Sequence, residues 1–150
     1  NMITLEQLRR NKDKDHPALS SGYFDFKYKI TKPKSAAQLE ALIEEYINGI
    51  GGKVSIISSA GRQIVNKTEV TDVLGRKNSI TDAKFIPSTT IRGTPDILGC
   101  YKGRAIAIEV KFSKGDRLSE YQIKYKQLWE QAGGLFIVAK KLEDVYFLTN

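Results

Sequence analysis

The residues of this chain best suited to chemistry lie between Gly93 and Phe112. The stretch reads Gly93-Thr94-Pro95-Asp96-Ile97-Leu98-Gly99-Cys100-Tyr101, then Lys102-Gly103, then Arg104-Ala105-Ile106-Ala107-Ile108-Glu109-Val110-Lys111-Phe112. Two apolar runs of strand length around a short Gly-containing turn predict a β-hairpin. Side chains alternate along a strand, so Ile106, Ile108, Val110 and Phe112 share one face. Ala105, Ala107, Glu109 and Lys111 share the other, and the two alanines are expected to leave room above it. Asp96 opens the first strand and can approach Glu109 across the hairpin. Two carboxylates and one ammonium on a core strand are costly unless another group compensates them. A divalent cation would do so, and so would a phosphate.

The rest of the composition narrows the choice. The chain has 150 residues, enough for one domain with a real core, and a formal net charge of +7. Such a charge suits a polyanionic partner, above all nucleic acid, although a basic solvated surface would give the same count. Cys100 is the only cysteine and His16 the only histidine, which excludes an internal disulfide and any Cys- or His-rich metal site. A metal would have to be held by oxygen ligands, which favours Mg²⁺ or Mn²⁺. No apolar run is long enough to span a membrane and no secretory h-region is visible, so no membrane partner and a reducing cytoplasm are expected.

Several elements must position these residues. Residues 1–34 are polar and basic, with a short helix expected over Thr4 to Arg10 and breakers at His16-Pro17, Ser20-Ser21-Gly22 and Lys32-Pro33. Tyr23, Phe24, Phe26 and Tyr28 lie within this segment, which reads as an arm whose aromatic residues dock on the domain, pack on a second subunit or stack on bases. Ser35 with Gln38 is a capping-box pattern, and Leu39, Leu42, Ile43, Tyr46, Ile47 and Ile50 form one apolar helical face before Gly51-Gly52. Glu40 lies about a quarter-turn from the centre of that face and is the acid most able to reach inward, ahead of Glu44. Val54 to Ile57 predicts a strand. Arg62 to Asn66, Glu69 to Leu74 and Lys84 to Pro87 are expected as short strands within a polar insertion over about 59–92. Ser119 with Gln122 repeats the capping box and opens a helix to about Ala132. Its stripe of Tyr121, Tyr125, Leu128, Trp129 and Ala132 is expected to join the core. Leu135 to Ala139 reads as a buried strand, and Val145 to Leu148 as a strand or short helix. The resulting α/β class has a central mixed sheet flanked by helices, in the order helix, strands, helix, strand.

Pro95-Asp96 followed by Glu109-Val110-Lys111, with a helix acid upstream and a helix and apolar strand downstream, matches the PD-(D/E)xK nuclease pattern. Gly93-Thr94-Pro95-Asp96, Ile108-Glu109-Val110-Lys111, Leu118-Ser119-Glu120-Tyr121-Gln122 and Ala132-Gly133-Gly134 together resemble the VRR-NUC family. That family comprises stand-alone phage and bacterial nucleases and nuclease domains of repair enzymes. The resemblance covers about 35–148 and leaves out the N-terminal segment. It implies a restriction-endonuclease-like core over 35–150 and a metal-dependent DNA endonuclease. It further implies a homodimer acting on branched DNA such as four-way junctions, in a bacterial or phage-infected cell.

The residue types suit phosphodiester hydrolysis, which needs an activated water and stabilised charge on the phosphoryl and leaving oxygens. By resemblance, Asp96 and Glu109 hold Mg²⁺ or Mn²⁺ with the Val110 backbone carbonyl, and Glu40 completes the set directly or through water. Lys111 orients the water or neutralises developing charge. Gln122 matches the family's glutamine and is expected to hold Lys111 or a phosphate. Arg62, Arg76, Lys77, Arg92, Lys114 and Arg117 are the expected nucleic-acid contacts. Each has a plainer role: Asp96 bonding turn amides, Glu109 and Lys111 as an ion pair, Glu40 favoured by the helix dipole, Gln122 as a cap, the cations as solvated surface. A restriction-like enzyme on linear DNA, or a DNA-binding module that keeps the fold without catalysis, are the competing functions.

Overall fold

The computed structural model describes residues 2–10, 30–57, 62–72, 74–86 and 90–150. In chain order these form α1 (Leu5–Arg10), α2 (Ala36–Gly49), β1 (Lys53–Ile56), β2 (Arg62–Thr71), β3 (Lys77–Ile86), β4 (Ile97–Tyr101), β5 (Arg104–Val110), α3 (Glu120–Gln131), β6 (Leu135–Ala139) and a closing 3₁₀ helix (Leu142–Thr149). The chain divides into two units, one formed by 1–57 and 92–150 and the other by Ser58–Ile91.

The larger unit is a mixed α/β structure around a four-stranded sheet in the order β1-β4-β5-β6. β1 pairs antiparallel with β4, β4 antiparallel with β5, and β5 parallel with β6. The β4–β5 turn is Lys102-Gly103, both with positive φ, the two-residue geometry that matches strand twist. From Ile106 to Val110 every residue of β5 is buried. Ala107 is fully covered, so the open space expected above the Glu109 face is filled. A strand with neighbours on both edges and cover on both faces takes small or apolar side chains throughout, and one acid there is exceptional.

α2 starts at Ser35, whose hydroxyl accepts from the Gln38 amide. Its apolar face, Leu39, Leu42, Ile43, Tyr46 and Ile47, is fully buried and packs with Ile97, Ile106 and Ile108. Each such side chain contributes about 1.5–3 kcal/mol on burial. Asn48 ties the helix to β1, donating to the Val54 carbonyl at 3.1 Å and accepting the Val54 amide at 2.8 Å. α1 belongs to the same core. Leu5 and Leu8 are buried in it, Tyr46 donates to the Ile3 carbonyl at 2.6 Å, and Arg9 pairs with buried Glu45 at 3.0 Å. The short helix expected over Thr4 to Arg10 is thus present and packs on the core, so the core begins before residue 35. The apolar positions of this helix, five and eight, are too few for periodicity to distinguish. His16, Tyr23, Phe24, Phe26 and Tyr28 lie outside the described residues.

Two further expectations are corrected. α3 has no buried residue, and Leu128 is 57% exposed. Its contact with the sheet rests on Trp129, whose indole lies against Gly134 and donates to the Leu135 carbonyl at 3.1 Å. The helix covers the sheet with one edge, so an amphipathic stripe wider than that edge stays outside. The stretch read as three short strands is instead one hairpin. β2 and β3, ten residues each, pair from Arg62↔Ile86 to Thr71↔Lys77. Its turn is organised by Asp72, which accepts the Leu74 and Arg76 amides and the Arg76 side chain. Among the described residues no helix is long and apolar enough to cross a membrane.

The second unit interrupts what would otherwise be a plain hairpin of the sheet. β1 and β4 are direct neighbours, and the pairing runs on through the Ile57 amide to the Asp96 carbonyl at 2.7 Å. Replacing 58–91 by a short Gly/Ser turn is therefore expected to leave the larger unit folded, with a single cooperative melt shifted by only a few degrees. Circular dichroism of the shortened chain checks this.

Candidate functional site

Five of the sequence-derived residues meet at the ends of β4, β5 and the first turn of α3. The last paired residues of β4 and β5 are Ile97↔Ile108, so one step further Asp96 stands opposite Glu109. Asp96 Oδ2 accepts the Val110 amide at 2.8 Å. Pro95 is fully buried and biases Thr94 to extended backbone, which delivers Asp96 to the strand end in one conformation. Glu109 is 3% exposed. Its Oε1 accepts from Lys111 Nζ at 2.9 Å and from Gln122 Nε2 at 2.6 Å, whereas Oε2 is buried without a hydrogen-bond partner.

Gln122 combines the two roles that its sequence position leaves open. The Ser119 hydroxyl accepts the Gln122 amide, and Gln122 Oε1 accepts the Ser119 amide at 2.8 Å, which completes the capping box. The same Oε1 accepts from Lys111 Nζ at 3.1 Å. One amide group thus caps α3, holds the ammonium and holds the carboxylate. The glycine before this segment makes the approach possible. Gly93 has φ +85°, and a Cβ there would collide with the Tyr121 carbonyl. The loop can run against the first turn of α3 only with glycine. Gly93→Ala is expected to destabilise by roughly 1–3 kcal/mol, read as a lower urea midpoint.

The electrostatics follow from this crowding. Burial pushes the Glu109 carboxyl upward, and the charges of Asp96 and Glu40 push the same way; the hydrogen bond and charge of Lys111 oppose them. Burial also raises Glu40, with the Asp96 charge adding to it. Glu40 thus feels the charge of Asp96 and adds to that on Glu109. Glu44 is occupied elsewhere, accepting the Ile56 amide at 3.3 Å. Glu45, the next acid along α2, is the buried partner of Arg9.

Among the described residues no three Asp, Glu, His or Cys side chains form a group that encloses a metal by themselves. Mg²⁺ does not require one, since it binds through one or two carboxylates and completes its shell with waters and substrate phosphate. Asp96 and Glu109, with the orphaned Oε2, fit that donor chemistry, and Glu40 adds charge beside them. Of the expected nucleic-acid contacts, Arg92, Lys114 and Arg117 are exposed and lie in the unit that carries the carboxylates. Lys77 and Arg76 lie in the β2–β3 unit, where Arg76 is bound to Asp72 at 3.1 Å. Arg62 opens β2 in that unit, and its side chain lies outside the description. No family model, curated protein or solved structure gives a significant match to this chain.

The raised carboxyls make a pH prediction. The folded state holds these protons more tightly than the unfolded chain, so the stability they contribute is fully present below the ordinary value of 4.5 and is lost as pH rises through the raised values. In EDTA, Glu109→Gln should remove part of that loss, and its melting temperature should gain on the parent's as pH climbs from about 5 to about 8. The same variant should lose the stabilisation that added Mg²⁺ gives the parent. Thermal melts across pH, with and without Mg²⁺, measure both.

Proposed function

We propose that this chain is a metal-dependent DNA endonuclease of the PD-(D/E)xK type, similar to the VRR-NUC family. The observation that carries this reading is the convergence of Asp96, Glu109, Lys111 and Gln122 at one strand end. There a buried carboxylate oxygen is left without a partner. The order of helices and strands, with three antiparallel strands and a fourth parallel, supports a restriction-endonuclease-like core. The net charge of +7 suits a nucleic-acid substrate.

Asp96 and Glu109 would hold Mg²⁺ or Mn²⁺, with the Val110 carbonyl as a further oxygen and Glu40 contributing through water or directly. The cation, when bound, supplies Lewis-acid polarisation of the phosphate and acidifies water. The protein's own part is positional. Lys111, fixed between Glu109 and Gln122, keeps an ammonium beside the position where an attacking water and the phosphoryl oxygens would sit. It orients that water and offsets the negative charge that develops on the phosphate. Gln122 keeps Lys111 and Glu109 in register with the helix, so that neither rotates away. The resemblance extends the reading to a homodimer on branched DNA, with one site per subunit for the two strands, in the cytoplasm.

The parent protein should nick or cleave DNA in Mg²⁺ or Mn²⁺ and be silent in EDTA. Asp96→Ala and Lys111→Ala should each lower the single-turnover rate by about 100-fold or more. Full activity in both variants would remove this site from the reaction. Four-way junctions, flaps and linear duplexes of equal length, compared in the same assay, decide substrate preference.

A further inference from the structure

Arg92 is exposed at the start of the Gly93–Asp96 loop, and its guanidinium lies over the Tyr121 ring at 4.8 Å from the centroid. Arg92 Nη1 also donates to the Tyr121 hydroxyl at 3.1 Å. Gly93 allows the contact, because only glycine lets the backbone lie against the Tyr121 carbonyl. Tyr121 immediately precedes Gln122, the residue that holds Glu109 and Lys111. The guanidinium is thus held on the residue that precedes Gln122 in α3, at the end of the loop that leads to Asp96.

We propose that Arg92, oriented by Tyr121, is a binding site for a backbone phosphate of the DNA next to the one being hydrolysed; this rests on the nuclease reading and deepens it. The nature of the partner carries the inference. Among the described residues Arg92 makes no ion pair. An arginine that served stability alone would be expected to take a carboxylate, and Asp96 lies four residues on in the chain. The tyrosine holds it by ring face and hydroxyl, both neutral, so the positive charge is oriented without being cancelled. One N–H of the planar fork is used and the others remain for a ligand. The fork matches a phosphate in two-point geometry, and its pre-orientation lowers the entropy lost on binding. A lysine could not replace it, having neither the planar fork nor the stacking face.

A plainer role is a staple between loop and helix, and salt dependence separates the two. The probe is a fluorescein-labelled linear duplex of about 20 base pairs, bound in EDTA over a KCl series, with thermal melts of every variant. Each phosphate contact adds about 0.9 to the slope of log affinity against log salt. Arg92→Gln should lower the slope by about one and weaken binding several-fold at moderate salt. Tyr121→Ala should give a similar loss although the charge is kept, and Tyr121→Phe, which keeps the ring, should recover most of it. An unchanged slope in Arg92→Gln overturns the proposal, whether or not the melting temperature falls. A lowered slope in Arg92→Gln with a parental slope in Tyr121→Ala overturns the part given to the tyrosine. Because no turnover is involved, the outcome is independent of cleavage. An inactive parent with the expected slopes ends the nuclease reading alone, and an active parent with an unchanged slope ends only the phosphate site.

Discussion

The Glu109 carboxylate sits on a strand buried on both faces, with Asp96 opposite it and Glu40 near enough for its charge to be felt. Like charges repel most where water is scarce, and an unpaired buried charge costs several kcal/mol, about 3–5 when a partner is removed. Three protein groups offset this. Lys111 and Gln122 share one Glu109 oxygen, and the Val110 amide takes one Asp96 oxygen. The other Glu109 oxygen is left without compensation. The cluster is therefore satisfied on one side and electrostatically tense on the other, which is the condition in which a cation gains most from binding.

Much of the surrounding structure serves that arrangement. α2 is anchored by a full apolar face and by Asn48, so Glu40 is delivered from a rigid element. α3 is the opposite case, a helix with no buried residue, held by its N-cap, by Trp129 over Gly134 and by the Gly93 loop. The capping box doubles as the support of the site. Loss of Gln122 would remove one half of the cap and one contact each from Lys111 and Glu109, which would keep only each other.

The sequence made some of this legible and hid the rest for physical reasons. The hairpin around Lys102-Gly103, the Ser119/Gln122 capping box and the α2 face follow from local rules, and each is present; at Ser35 the hydroxyl caps the Gln38 amide, but the Gln38 side chain accepts the Lys34 amide instead of the Ser35 amide. The facing of Asp96 and Glu109 needed only strand register. The cover over Ala107 could not be read, because alternation shows which residues share a face but not what packs on it. The stripe of α3 failed for a related reason: hydrophobic periodicity predicts a face, whereas burial depends on how much of that face a neighbour reaches. The β2–β3 strands were cut short because Asn66, Thr68 and Asp82 interrupt the apolar alternation, while the backbone ladder continues through them. The burial of Glu45 could not be read, because its partner Arg9 is distant in sequence.

The β2–β3 hairpin also bears on how the chain reaches this state. β1 and β4 must meet across some forty intervening residues, and the entropy of closing a loop grows with its length. Within that interval the two strands are joined by a short turn, already fixed by Asp72, and their contacts are local. Once zipped, the ribbon brings its two ends together, so the loop that β1 and β4 must close shrinks from about forty residues to the segments 57–61 and 87–96. An excursion that lengthens the chain between the first two strands of the sheet thus costs little in folding rate, because it closes its own loop first.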